Sequence, residues 1–112
     1  MKYEEIPEKI KQQELQILNS TISLESFKLD LSNIEDMVYE QVENEKDEKG
    51  KKIYSNEDKR KKETKLRCLS DSNYCKLIDK IKETEIQIKT MNVERDYNRR
   101  MFRLFYSLKI EK

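Results

Sequence analysis

Histidine and tryptophan are absent from this 112-residue chain, which has one glycine (Gly50), one proline (Pro7) and two cysteines. Without histidine, the commonest general base and the commonest metal ligand are missing, and so is every Ser/His or Cys/His nucleophile pair. One glycine cannot build a phosphate-cradling loop, which needs several at close spacing. Beside Cys68 and Cys75 there is neither a third cysteine nor a histidine to complete a zinc ligand set. On one continuous helix those two thiols would stand about 10.5 Å apart, beyond disulfide reach, and a turn between them would bring them closer. Two small buried or half-buried thiols are the expectation, and two cysteines suit a reducing compartment. Acid pairs such as Glu94 and Asp96 fall on helix surfaces among basic residues, with no pocket in prospect. The chain is therefore expected not to be an enzyme and to take no cofactor or metal.

Long hydrophobic runs are missing too. Nothing approaches the roughly 18–20 apolar residues of a membrane span, and MKYEEIPEK lacks the apolar core of a signal peptide. A cytoplasmic protein without a membrane partner is expected.

In their place stand charges. Charged residues make up 42% of the chain and hydrophobic residues 35%. That is thin material for a globular core but suits long helices that each bury one stripe. Between Glu8 and Lys49 no glycine or proline interrupts a helix. A first long helix is expected over about residues 8–45, with Pro7 at its start, where the missing N–H costs nothing. Ile10, Ile17, Leu24, Leu31 and Val38 recur every seven residues, with Phe27 and Ile34 as companions, a coiled-coil-like seam. Leu15, Ile22 and Leu29, with Leu18 beside them, form a second track. Asn19 to Thr21 is the place where this helix would kink or cap.

A connector over residues 46–71 contains most of EKDEKGKKIYS, broken at Gly50, and then a short basic helix from Asn56 to Leu69. Ser55 reads as its N-cap, with Asp58 three residues on. LSDSN, Leu69 to Asn73, ends it. A second long helix is expected over residues 73–110. Tyr74, Leu77, Ile81, Ile88 and Met91 form its seam, continued by Phe102 and Phe105. Ile86, Val93, Tyr97, Met101, Leu104 and Leu108 form a second track. The expected fold class is all-α: one domain over residues 1–112, an antiparallel hairpin of two long coiled-coil-like helices with a short basic helix in the connector. Doubled tracks exceed what a lone hairpin buries, so an oligomeric bundle, dimer or higher, is expected.

Charge is unevenly spread. Residues 1–45 hold 11 acids and 4 bases (net −7), residues 46–70 hold 10 bases and 5 acids (net +5), and residues 71–112 hold 10 bases and 7 acids (net +3). An antiparallel hairpin would set the Arg-rich end beside Glu4, Glu5, Glu8 and Glu14. It would also set Lys76, Lys80 and Lys82 beside Glu35, Asp36, Glu40 and Glu43.

Two clusters are candidate contact surfaces. Lys59, Arg60, Lys61, Lys62, Lys65 and Arg67 put six cations in nine residues. They suit weak, non-specific contact with DNA or RNA phosphates, since no base-reading motif accompanies them. A solvated face, or pairing with the acidic first helix, fits the same residues. In RDYNRRMFRLFYSLKI, Arg99, Arg100 and Arg103 are threaded among Tyr97, Met101, Phe102, Leu104, Phe105 and Leu108. At about 100° per residue, Tyr97, Met101, Leu104, Phe105 and Leu108 share one side, Arg99 and Arg103 lie opposite and Arg100 flanks. This reads as a hydrophobic closing point of the hairpin or oligomer with arginines on its rim. Arginine and aromatic residues are also what protein interfaces use as anchors. The nearby acids count against a membrane-surface helix.

YSNEDKRKKETKLRCLSDSNY, Tyr54 to Tyr74, followed by a heptad helix ending in RDYNRRMFRLF, resembles small helical proteins encoded by phages and prophages. The resemblance covers the second half of the chain. It implies an accessory acting beside nucleic-acid machinery of replication and recombination, and it supplies no catalytic residues. Small phage-encoded helical proteins also include inhibitors of host defence nucleases. An anti-CRISPR-type protein docking on a nucleoprotein complex is therefore the alternative.

Overall fold

The structure, a computed structural model, describes residues 3–111; Met1, Lys2 and Lys112 of the expected domain lie outside them. A 3-10 turn at Tyr3–Glu5 leads into α1 (Ile6–Asn44), followed by α2 (Glu57–Leu69) and α3 (Ser72–Glu111). Among the described residues there is no strand, only an isolated antiparallel bridge between Lys46 and Lys52.

Local chemistry sets the helix limits. Pro7 falls in the first turn of α1, where an N–H has no intrahelical acceptor to lose. Asn19 to Thr21 stays helical. The Thr21 hydroxyl donates to the Ile17 carbonyl at 2.7 Å, so the side chain that would compete with the helix bonds back along it instead. The cap of α2 is Asn56 in place of Ser55. Its backbone is extended and its side chain accepts the Lys59 N–H at 2.8 Å. Asparagine and serine cap about equally well, so geometry decides between neighbours. Asp71 caps α3, accepting the N–H groups of Asn73 at 2.8 Å and Tyr74 at 3.3 Å. This starts α3 at Ser72, one residue before the expected Asn73.

The chain divides into two compact units, Met1–Leu24 with Glu83–Lys112, and Glu25–Lys82. In the first unit, Ile6, Ile10, Gln13, Ile17, Ser20 and Leu24 are the buried or half-buried positions at alternating four- and three-residue spacing on α1. On α3, Thr84, Ile88, Met91, Arg95, Asn98 and Phe102 continue the same alternation. The seam is thus partly polar. Gln13 is 6% exposed and accepts from Asn98 Nδ2 at 3.0 Å, and Glu14 accepts from the Arg99 guanidinium.

In the second unit, Val42, Cys68, Ile81 and Thr64 are buried. Phe27, Leu31, Ile34 and Val38 of the same unit are half-buried at alternating four- and three-residue spacing on α1. The connector folds on itself. Asp47 Oδ1 accepts the N–H groups of Lys49 and Lys51 at 2.9 Å each. Gly50 takes φ +80°, which a side chain would strain. Arg67 fastens this segment to α2: it bonds Glu63 at 2.9 Å and Glu45, and lies 5.8 Å from the Tyr54 ring centroid.

Candidate contact surfaces

The six cations of α2 divide into two kinds. Arg60 and Arg67 are half-buried and internally engaged. Arg60 Nε donates to the Tyr39 hydroxyl at 3.1 Å and its Nη1 to the Tyr54 carbonyl at 3.3 Å. Arg67 makes the contacts just described. Positions 60, 64, 67 and 68 form the inward side of α2, which places these two arginines, unlike their lysine neighbours, in contacts within the unit. Lys61 pairs with Glu57 at 3.1 Å, both side chains about two-thirds exposed, an arrangement that contributes little. Lys59, Lys62 and Lys65 are exposed and form no ion pair among the described residues.

Four further lysines share that state, and the sequence reading did not single them out. Lys46, Lys49, Lys51 and Lys52 of the connector are exposed and form no ion pair among the described residues. Their signal was EKDEKGKKIYS itself, read as a spacer. Exposed Ile53, Leu66 and Leu69 lie in the same segments.

A cleft of about 410 Å³ in this unit is bordered by Glu35, Tyr39, Lys65, Cys68 and Tyr74. Burial pushes the Cys68 thiol up, so it is held protonated. The Tyr74 hydroxyl donates to Glu35 at 2.8 Å. Burial first, and this bond second, push its phenol from 10.0 up to about 12. The cleft thus holds its thiol and phenol in neutral form. Among the described residues, no group of three or more side chains could hold a metal ion.

The Tyr74 shift carries a sign. A phenol raised in the folded state stabilises the fold fully below pH ~10 and loses that contribution as pH climbs through ~12. The stability difference between the wild type and Tyr74→Phe is expected to shrink across this window. Paired urea titrations at stepped alkaline pH measure it, and a constant difference would refute the assignment.

In the first unit, α3 is turned differently from the expected amphipathic split. Met101, Phe102 and Phe105 are half-buried, with the Phe102 and Tyr106 rings stacked at 6.3 Å. Tyr97, Leu104 and Leu108 are exposed, as are Ile86 and Val93 on the same track. Arg99, expected on the far side, bonds Glu14 of α1. The cause is register: the seam begun at Tyr74 keeps its alternation through Arg95 and Asn98 to Phe102, which leaves the second track outward. Arg100 and Arg103 are exposed and form no ion pair among the described residues. Shallow grooves run beside this track, one bordered by Gln16, Asn19, Ile86 and Thr90, another by Lys9, Gln13, Val93 and Tyr97. Leu15, Leu18 and Ile22 of α1, also exposed, border neither.

Among the described residues, no helix is long and apolar enough to cross a membrane. No family model matches the chain, and no curated protein or solved structure shows significant similarity to it.

Proposed function

We propose that this chain is a non-enzymatic helical interaction protein that binds the phosphate backbone of DNA or RNA through the lysines of Glu25–Lys82, in the cytoplasm, beside nucleic-acid machinery. In this reading the two long helices form one antiparallel hairpin, and copies self-associate. The hairpin draws on two sets of contacts: Gln13 with Asn98 and Glu14 with Arg99 in one unit, and Glu35 with Tyr74 and Phe27 with Lys80 in the other. In the second unit the earlier α1 residue, Phe27, meets the later α3 residue, Lys80, while the later Glu35 meets the earlier Tyr74, which is the antiparallel order. The resemblance to phage-encoded helical proteins supplies the setting.

One observation carries the polyanion reading. The four connector lysines and Lys59, Lys62 and Lys65 are exposed cations with no acidic partner among the described residues. Internal neutralisation, which fits Arg60 and Arg67, does not account for them. Lysine acts as a mobile point charge and suits phosphates without reading bases.

The test is fluorescence anisotropy with short single- and double-stranded DNA. If three phosphates are neutralised, affinity for the duplex falls ~40-fold, and for the single strand ~20-fold, between about 50 and 200 mM salt. Lys59→Glu, Lys62→Glu and Lys65→Glu together are expected to abolish the low-salt binding while helicity is kept. Absence of binding at low salt, or binding indifferent to this triple change, would sink the reading.

Leu66 and Leu69, 62% and 49% exposed among these lysines, favour a second reading. Apolar side chains add nothing to a phosphate contact but do anchor a protein interface. An inhibitor docking on a host defence nucleoprotein complex would show no affinity for free nucleic acid and would lose its partner on Leu66→Glu.

A further inference from the structure

The outward track of α3 has a property that scattered exposed residues lack. Ile86, Thr90, Val93, Tyr97, Arg100 and Leu104 follow each other at alternating spacings of four and three, and every one is exposed. Ile86, Val93, Tyr97 and Leu104 are 64%, 70%, 60% and 51% exposed. This 3.5-residue period is that of a coiled-coil seam, and α3 already spends its other seam on α1. The helix therefore carries two seams, one filled and one open.

The charges flanking the open seam select its occupant. Asp96 and Arg103 lie seven residues apart, on the same flank, just before Tyr97 and Leu104 respectively. In a two-fold antiparallel pairing each helix meets the reverse order of its own charges. With Val93 opposite Leu104 of the second copy, Asp96 falls opposite Arg103 of that copy, and the pair occurs twice. The same register sets Tyr97 beside Arg100 of the second copy, where a guanidinium stacks favourably on an aromatic face. A parallel pairing would instead put Arg100 against its own equivalent in the seam, with two like charges facing. The charges are also available. Asp96 is 48% exposed, lies 3.4 Å from Arg95 and 3.9 Å from Arg99, and has lone pairs left to accept further. Arg103 is exposed and forms no ion pair among the described residues.

We propose that α3 pairs with α3 of a second copy, antiparallel, through the stripe from Val93 to Leu104, with Asp96 of each copy facing Arg103 of the other. This rests on the self-association in the proposed function and is independent of the polyanion contact.

Sedimentation equilibrium across the micromolar range tests it, with circular dichroism to verify that each variant stays helical. The wild type is expected to be a dimer and Leu104→Glu a monomer. Arg103→Asp, a change at an exposed side chain, is expected to weaken the dimer by about tenfold or more, since it sets acid against acid twice. Adding Asp96→Arg to Arg103→Asp is expected to restore it. A monomeric wild type would overturn both the pairing and self-association. A dimer indifferent to Leu104→Glu and Arg103→Asp would overturn the pairing alone. A dimer broken by Leu104→Glu, weakened by Arg103→Asp and not rescued by the double change would overturn the antiparallel register.

Discussion

Replacing Val42 by Asp is expected to unfold the unit formed by Glu25–Lys82. Val42 is the one hydrophobic residue of that unit with no exposure at all. An aspartate there would carry its charge into an apolar site, at a cost of several kcal/mol, or take up a proton to avoid it. Either cost is large against the ~5–15 kcal/mol that holds a typical domain together. Val42→Ala removes only methyl groups and is expected to cost about 1–3 kcal/mol, so it serves as the graded companion. Leu29→Asp puts the same carboxylate at a position 61% exposed and is expected to stay within about 0.5 kcal/mol of the wild type. Reaction of the Cys68 thiol with a chromogenic disulfide reads the opening directly. Cys68 is 1% exposed, so its slow reaction becomes immediate when α2 detaches, while half-buried Cys75 provides the internal reference. A Val42→Asp protein that melts near the wild-type temperature with Cys68 still protected would show that Val42 does not anchor this unit.

What could be read from sequence, and what could not, divides along a physical line. The seam of α1 was legible because apolar residues repeat at a period that only a helix makes use of. Ile10, Ile17, Leu24, Phe27, Leu31, Ile34 and Val38 are all half-buried in the structure. The helix limits were legible to within two residues, α1 starting at Ile6 in place of Glu8, because Pro7 and the Ser70–Asp71 break act locally. Three things were not. Gln13 and Asn98 occupy seam positions, but their bond joins residues 85 apart in sequence, and neither looks buried alone. Extending the alternation back from Phe27 through Ser20 reaches Gln13, and that was the available signal. The choice between the two stripes of α3 was also hidden, since both are apolar at the same period. Finally, counting Arg60 and Arg67 with their lysine neighbours hid a difference of chemistry. A guanidinium fork serves several fixed acceptors at once, as Arg67 does with Glu45 and Glu63, whereas lysine favours open solvent.

The buried amide pair gives the second prediction with a large effect, and its asymmetry is the informative part. Gln13 is nearly closed off from water, while Asn98 is only half-buried. Asn98→Leu strands the Gln13 carbonyl oxygen in the seam and is expected to cost about 1–3 kcal/mol, the penalty of an unsatisfied buried acceptor. Gln13→Leu leaves the Asn98 amide, which water can reach, and is expected to cost less, with added apolar burial partly offsetting the loss. Changing both to leucine removes donor and acceptor together and makes that layer of the seam apolar. That double variant is expected to match or exceed the wild type, so the coupling from the complete cycle is large and opposite in sign to the Asn98→Leu loss. Stability and specificity should then part company. A buried polar layer in a coiled-coil seam fixes register, because any slip strands both amides, and a leucine layer in its place lacks that constraint. Urea unfolding measures the four stabilities, and hydrogen exchange at the ends of α1 and α3 tests the register. Additive single and double effects would mean that the bond contributes nothing beyond the space its side chains fill.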